Sequence, residues 1–346
     1  MAASPVDNGF PKTMYVIVPA GLNLRQAPST SAPVLQKLQY GTQIQVEAGA
    51  SDIFVQISAP ASGWVAQGSG SKVYISATKP LGWTLPFTAA QRGVGASAGG
   101  WALETQHCLI IQKSQIEVVL ICCYEPNQAA KTIPALRGVG VNTFILRAAT
   151  HEKPTTPGRY VDLTLPILKE YAAQLGNANP LMIAIHNEPN LTAEGWGSAW
   201  ADGAGFASWW QAVAASYRTA LPNAKLGFPA LSPGGDAPGV RLNESAFIMA
   251  ATPAIQTADW IGVHYYWAKQ DGSDINPPFA QWKSWFGTRP IIATEVGPTD
   301  NNTVTADAVR KAYQVFSVNN VPAMAWLLTG AGAWHNAAWD EHGIML

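Results

Sequence analysis

The chain has 346 residues, more than an average domain, although a single α/β barrel already takes roughly 250. Hydrophobic residues make up 48%, enough to fill a core, which excludes wholesale disorder. A formal net charge of −1 gives no electrostatic reason to expect nucleic acid or a membrane as partner, and no apolar run is long enough to span one. Charged residues are only 12%, about half the usual share. Small and neutral polar residues must therefore cover the surface, a balance common in secreted carbohydrate-handling proteins. The 14 Trp include flat rings able to stack on sugars, though most are expected in the core.

The three cysteines are too few for a disulfide framework. Cys122 and Cys123, inside VVLICCY, read as buried thiols, and Cys108 falls on an expected helix. There is no CxxC spacing, so a zinc site of that type is not supported. The start, MAASPVDNGFPKT, lacks a basic stretch followed by an apolar one. No signal peptide is read there, and the expectation is an extracellular or cell-wall protein whose signal has been removed.

From Met14 to Thr78, short β segments alternate with Gly, Pro and Ser: MYVIV, LNLRQAPS, PVLQKLQYGTQIQVEAG, IFVQIS, GWVAQ and KVYIS. They predict five or six strands of a small barrel. Asn23, Arg25, Pro28, Ser29, Gly41 and the Gly63–Trp64–Val65 triple follow the pattern N-x-R-x-x-P-S, hydrophobic, G-x-x-V, then GWV. In these residues the segment resembles the bacterial SH3 domain. The resemblance implies a cell-wall peptide or polysaccharide as ligand, or a purely structural appendage. Residues 1–13 are expected as a tail and 79–91, rich in Pro, as a linker.

Beyond the linker the period changes, and residues 92–346 alternate apolar runs with amphipathic segments. Strands are expected at GVGAS, EVVLICC, NTFILRA, LMIAIHN, KLGFPAL, WIGVHYY, PIIATEV and PAMAWLL. Helices are expected at NQAAKTIPALRGVG, DLTLPILKEYAAQLG, FASWWQAVAASYRTALP and TADAVRKAYQVFSVN, with a last one in AWHNAAWDEHGIML. Eight such units predict an α/β fold, a (β/α)8 TIM barrel preceded by the small all-β SH3-like barrel.

Two strands end in a carboxylate. Glu188 follows the fourth and Glu295 closes the seventh, so both face the C-terminal mouth where barrel catalytic groups gather. One acid to protonate a leaving oxygen and one to attack or activate water is what glycosidic hydrolysis needs. His264 and Tyr266 share a face at the end of the sixth strand, and Arg147 closes the third.

The Asn187–Glu188–Pro189 run with its matching Glu295 resembles clan A of the glycoside hydrolases, the cellulase-like and xylosidase-like group of retaining β-glycosidases. The resemblance implies Glu188 as acid/base, Glu295 as nucleophile, and Asn187 as partner of the sugar 2-hydroxyl. It further implies Tyr266 on the nucleophile, His264 lining the sugar pocket, and Trp326 as an aromatic platform. The clan carries its arginine on the second strand, so Arg147 on the third is a departure. Trp196 and Trp200, just past the acid/base, are expected to build a further sugar subsite. The reaction needs no cofactor and no metal; the partner is a carbohydrate substrate and the protein a monomer. The alternatives are a non-catalytic carbohydrate- or wall-binding protein, or a transglycosylase using the same two acids. Weaker patterns are GVGASAGG, which lacks the rest of a dinucleotide loop, and His335, Asp340 and His342, read as a polar tail. No G-x-S-x-G elbow occurs, so a serine hydrolase is not supported.

Overall fold

The computed structural model describes residues 11–16, 22–38, 42–49, 53–69, 72–76, 85–96, 105–176, 180–299, 302–329 and 332–346. Gly41, most of the expected tail and residues 79–84 of the expected linker lie outside the described residues. So does the second half of GVGASAGG. The chain divides into two compact units, Met1–Thr84 and Leu85–Leu346.

The first unit is built on a seven-stranded antiparallel sheet. In sheet order its strands are Val34–Leu38, Leu22–Arg25, Gly63–Ala66, Phe54–Ala59, Gln43–Gly49, Lys12–Val16 and Ile75–Ser76. KVYIS is two strands rather than one: Lys72–Val73 pairs with Gly68–Ser69, and Ile75–Ser76 joins the first strand. Alternation puts Leu22 and Leu24, Ile44 and Val46, and Val55 and Ile57 into one apolar cluster. Gly63 has no room for a side chain, since a Cβ there would lie 2.9 Å from the Arg25 carbonyl oxygen.

The second unit is a closed barrel of eight parallel strands: β1 (Gly93–Gly95), β2 (Val118–Cys123), β3 (Thr143–Ala148), β4 (Leu181–Ile185), β5 (Ala224–Phe228), β6 (Trp260–Trp267), β7 (Ile291–Pro298) and β8 (Ala323–Ala325). They are the eight expected runs. Every residue of β2, β3, β4 and β7 is buried, which is why the runs lack alternation: parallel strands are covered on both faces.

Helices α1 (Thr105–Lys113), α2 (Ala129–Gly138), α3 (Pro157–Leu175), α4 (Gly203–Ala220), α5 (Glu244–Ala250), α6 (Thr252–Thr257), α7 (Phe279–Phe286) and α8 (Ala306–Val318) fill the connections. Side-chain caps set four of the starts. Thr156, Asp202, Asn243 and Thr305 accept from the backbone N–H of Arg159, Gly205, Ala246 and Ala308. The Thr156 cap, with Pro157 in the first turn, starts α3 five residues before the expected DLTLPILKEYAAQLG.

The expected last helix does not form. Gly332–Ala337 is a 3₁₀ turn, because the segment's backbone is bonded back to the strand it follows. Leu327 N–H donates to Ala337, and the N–H groups of Trp339 and Asp340 donate to Leu327 and Leu328. Those bonds leave no groups for a helical ladder.

One irregularity lies towards the C-terminal ends of the strands. Along β6 and β7, Val263 faces Ala293 but His264 faces Glu295, so the register slips by one residue at Thr294. The β7–β8 register shifts in the same stretch. A bulge of this kind re-aims the side chain after it, here Glu295.

Close packing between β5 and β6 supports the barrel. Gly227 pairs with Trp260, and a Cβ on Gly227 would meet the indole at 2.4 Å. That ring cannot swing aside easily, being fully buried with its Nε1–H on the Lys225 carbonyl at 3.0 Å. Gly227→Ala is expected to destabilise by about 1–3 kcal/mol, a fall of several degrees in the thermal midpoint. An unchanged midpoint would show that the ring yields freely.

Candidate active site

Glu295 lies 3% exposed on β7 and is bonded from two sides. Arg147 Nη1 donates to its Oε1 at 2.5 Å, and the Tyr266 hydroxyl donates to its Oε2 at 2.5 Å. Burial acts to raise the Glu295 carboxyl. The charges of His264 and Arg147, with the Tyr266 and Arg147 hydrogen bonds, outweigh it and hold the group below the usual carboxylate range. Arg147 is itself 4% exposed. Burial disfavours its charge, but Glu295 more than compensates and pushes the guanidinium above its ordinary value. The arginine is thus on the third strand, and the departure from the clan pattern is real. From β3, four strands from β7 around the barrel, its long side chain reaches across to Glu295.

Glu188 stands on the loop after β4, in an unusual backbone. His186 has φ 76° and Glu188 φ 35°, both in the left-handed region that costs a non-glycine residue energy. Several bonds impose that shape. Glu188 N–H donates to the Ala230 carbonyl at 3.0 Å. Asn190, fully buried, donates to the Ser232 and Leu242 carbonyls and accepts from Ser232 N–H. His186 Nδ1 accepts from Asn187 N–H at 2.7 Å. Burial among Tyr160, Trp200, Phe206 and Trp209 pushes that imidazole down to about 4, so it is a neutral strut beneath the loop.

His264 joins the two acids. Its Nδ1 shares a hydrogen with Glu188 Oε1 at 2.8 Å, and its Nε2 lies 3.5 Å from Glu295 Oε1 and 3.4 Å from Arg147 Nη2. The resemblance implied this ring near the sugar pocket, and it lies between the two carboxylates with its side chain wholly buried. One ligand atom each from Glu188, His264 and Glu295 lie within 4.8 Å of one another, the one such group among the described residues. The set does not suit a cation. Both Glu295 oxygens are already bonded, and the adjacent guanidinium repels positive charge.

Trp326, just past β8, is 4% exposed, with the Arg147 guanidinium 5.8 Å from its ring centroid and Tyr266 packed against it. Asn187 adjoins Glu188, and its Oδ1 is buried with no partner. Trp200 is a correction. It is 4% exposed, stacks edge-on with His186, Phe206 and Trp209, and gives its Nε1–H to the Pro189 carbonyl. These contacts set it in the core cluster of the barrel unit. Trp196 is half-buried against the core and donates to the Ala201 carbonyl, so both tryptophans brace the loop.

Sequence reasoning missed Glu194. Burial first, then the nearby charge of Glu188, push this carboxyl up to about 7, although Asn187 and Arg147 act to lower it. Its place in a Gly-flanked loop carries no signal of that environment. Asn190 was also missed, though it closes the HNEPN run.

Comparison with known proteins bears on the two units differently. Residues 20–71 match the family model of the bacterial SH3 domain. The N-terminal unit is a bacterial SH3 domain. No curated protein matches the chain. Among solved structures, a GH128 (subgroup II) endo-β-1,3-glucanase from Sorangium cellulosum is 16% identical with a TM-score of 0.48, over 72% of this chain and 91% of that one. A GH128 (subgroup I) endo-β-1,3-glucanase from Amycolatopsis mediterranei, in complex with laminaritriose, is 20% identical with a TM-score of 0.42, over 69% and 89%. A glucosidase from Croceicoccus marinus is 14% identical with a TM-score of 0.48, over 77% and 65%. The barrel of this chain stands on its own strand pairings.

The Arg147–Glu295 pair has a measurable consequence. A carboxyl held low in the folded state stabilises the protein above the unfolded carboxylate range, and that stability is lost as pH falls through the folded value. Arg147→Met leaves the buried carboxylate unpaired, at a cost of about 3–5 kcal/mol near neutral pH. Glu295 is expected to titrate at higher pH in the variant, followed by carbon NMR of labelled glutamate. An unmoved Glu295 resonance would show that Tyr266 and His264 alone hold it.

Proposed function

We propose that the barrel is a retaining β-glycoside hydrolase acting on an oligo- or polysaccharide. The observation that carries the reading is the approach of two inequivalent carboxylates, within 4.8 Å at their nearest oxygens, across the C-terminal mouth. Retaining enzymes hold their pair at about 5–5.5 Å, whereas inverting enzymes need about 6.5–9.5 Å to admit water. The environments divide the roles. Glu295 is clamped by a cation and a phenol and kept ionised, as a nucleophile must be. Glu188, with 14% of its side chain exposed and its Oε1 on His264, is the acid that reaches the leaving group.

The steps follow from those roles. A Glu295 oxygen attacks the anomeric carbon while Glu188 gives its proton to the departing glycosidic oxygen, leaving a glycosyl ester on Glu295. Glu188, now a carboxylate beside His264, takes a proton from water as the water oxygen attacks the same carbon. The ester bond breaks, the sugar leaves with its configuration retained, and both acids return to their first state. Asn187 Oδ1, buried and unpartnered, is the acceptor for the 2-hydroxyl. Trp326, backed by Arg147, is the apolar floor under the ring. Tyr266 steadies Glu295 and releases it as the ester forms.

The SH3 unit supports an extracytoplasmic setting, with a wall peptide or glycan as its ligand. No helix among the described residues is long and apolar enough to cross a membrane.

The test is a panel of β-1,3-, β-1,4- and β-1,6-glucans, β-mannan and xylan, scored for reducing ends. The parent is expected to cleave at least one. Glu188→Gln should lose about 10²–10⁴-fold in kcat, and Glu295→Gln should be inactive. A Glu295→Gln protein as fast as the parent would sink the assignment.

A further inference from the structure

Beside the two acids is a cavity of about 330 Å3 that the reaction steps leave unused. Tyr124, Thr150, His151, Lys153, Asn187 and Glu194 line it, from the segments following β2, β3 and β4. Its size is at the low end of the range for small-molecule sites, about 300–1,000 Å3, which is room for a single sugar unit. It opens next to the reacting centre, because Asn187 adjoins Glu188 and both Tyr124 and Glu194 feel the charges of Arg147 and Glu295.

The lining selects the ligand. Lys153 repels cations, and Glu194, ionised in part near neutral pH, disfavours anions at the same wall. What remains is a neutral ligand that both donates and accepts hydrogen bonds, as sugar hydroxyls do. The carboxyl of Glu194 and the buried, unpartnered Asn187 Oδ1 are acceptors, while Thr150 and Lys153 supply donors. The Tyr124 ring is stacked on His151 at 4.8 Å between centroids and stiffens one side. Glu194 is fixed from its own backbone: its N–H donates to the Leu191 carbonyl, and its carbonyl is bonded to the buried His186 ring. The Glu194 carboxyl lines this open cavity, where the Asn187 side chain is its hydrogen-bond partner.

We infer that this cavity is a second sugar subsite flanking the one at the reacting centre. Glu194 is its specificity-determining side chain, bonding hydroxyls of the neighbouring sugar unit. The inference rests on the glycosidase reading. It implies that chain length, rather than the reacting sugar alone, sets affinity, and that Asn187 is a wall shared by the two subsites.

The experiment uses full-length Glu295→Gln protein, titrated by calorimetry with laminaritetraose, cellotetraose, β-1,4-mannotetraose and β-1,4-xylotetraose. Adding Glu194→Ala should weaken the tightest of these by about 10–100-fold, the worth of a hydrogen bond to a charged group. Adding Glu194→Gln instead, which keeps the volume and one acceptor, should recover most of the loss. Circular dichroism and the thermal midpoint should be the same in all three proteins. Binding within twofold of Glu295→Gln alone overturns the subsite. So does a loss that Gln repairs no better than Ala, which would mark a role in shaping the loop. If the Glu295→Gln protein binds none of the four, the glycosidase reading fails and the subsite falls with it.

Discussion

The buried ion pair between Arg147 and Glu295 is the constraint on which the rest of the site depends. A carboxylate 3% exposed would be neutral without compensation, and a neutral carboxyl is a poor nucleophile. The guanidinium keeps it charged, and the Tyr266 hydroxyl occupies the second oxygen. Arg147 in turn lies against Trp326, so Glu295, its counter-charge and the indole are one packed unit. The bulge at Thr294 delivers Glu295 to this unit and opposite His264. Such an arrangement is a stability liability, since a buried pair is worth little net and its disruption costs much. Its retention at a barrel mouth is what catalysis would demand.

The second half of the site is built on different principles. Glu188 is positioned by a loop whose own conformation is unfavourable, with left-handed backbone at His186 and Glu188. Asn190, the Ala230 carbonyl and the aromatic cage around His186 hold it there. The imidazole, pushed down to about 4 by burial, stays neutral near neutral pH. His264 then ties Glu188 to Glu295.

Much of this was legible in the sequence, for identifiable reasons. The eight strands are apolar runs because parallel strands are buried on both faces, and both glutamates interrupt or follow such runs. Tyr266 bonds Glu295, as the clan resemblance implied. What was not legible depended on contacts distant in sequence. Trp200 sits in a Gly-rich loop and reads as exposed, but His186, Phe206 and Trp209 enclose it. The final helix was lost to backbone bonds with the residues after β8. The bulge at Thr294 leaves no mark in PIIATEV, and Glu194 looks like any loop acid until the cavity around it is seen.

The central claim is that Glu295 forms a covalent bond to the sugar. It is tested most directly by incubating the protein with 2-deoxy-2-fluoro-β-glycosyl fluorides of gluco, manno and xylo configuration and mapping the adduct by peptide mass spectrometry. The proposed retaining reaction predicts one added glycosyl unit on the peptide that carries Glu295. An adduct on Glu188, or on any other residue, would contradict it.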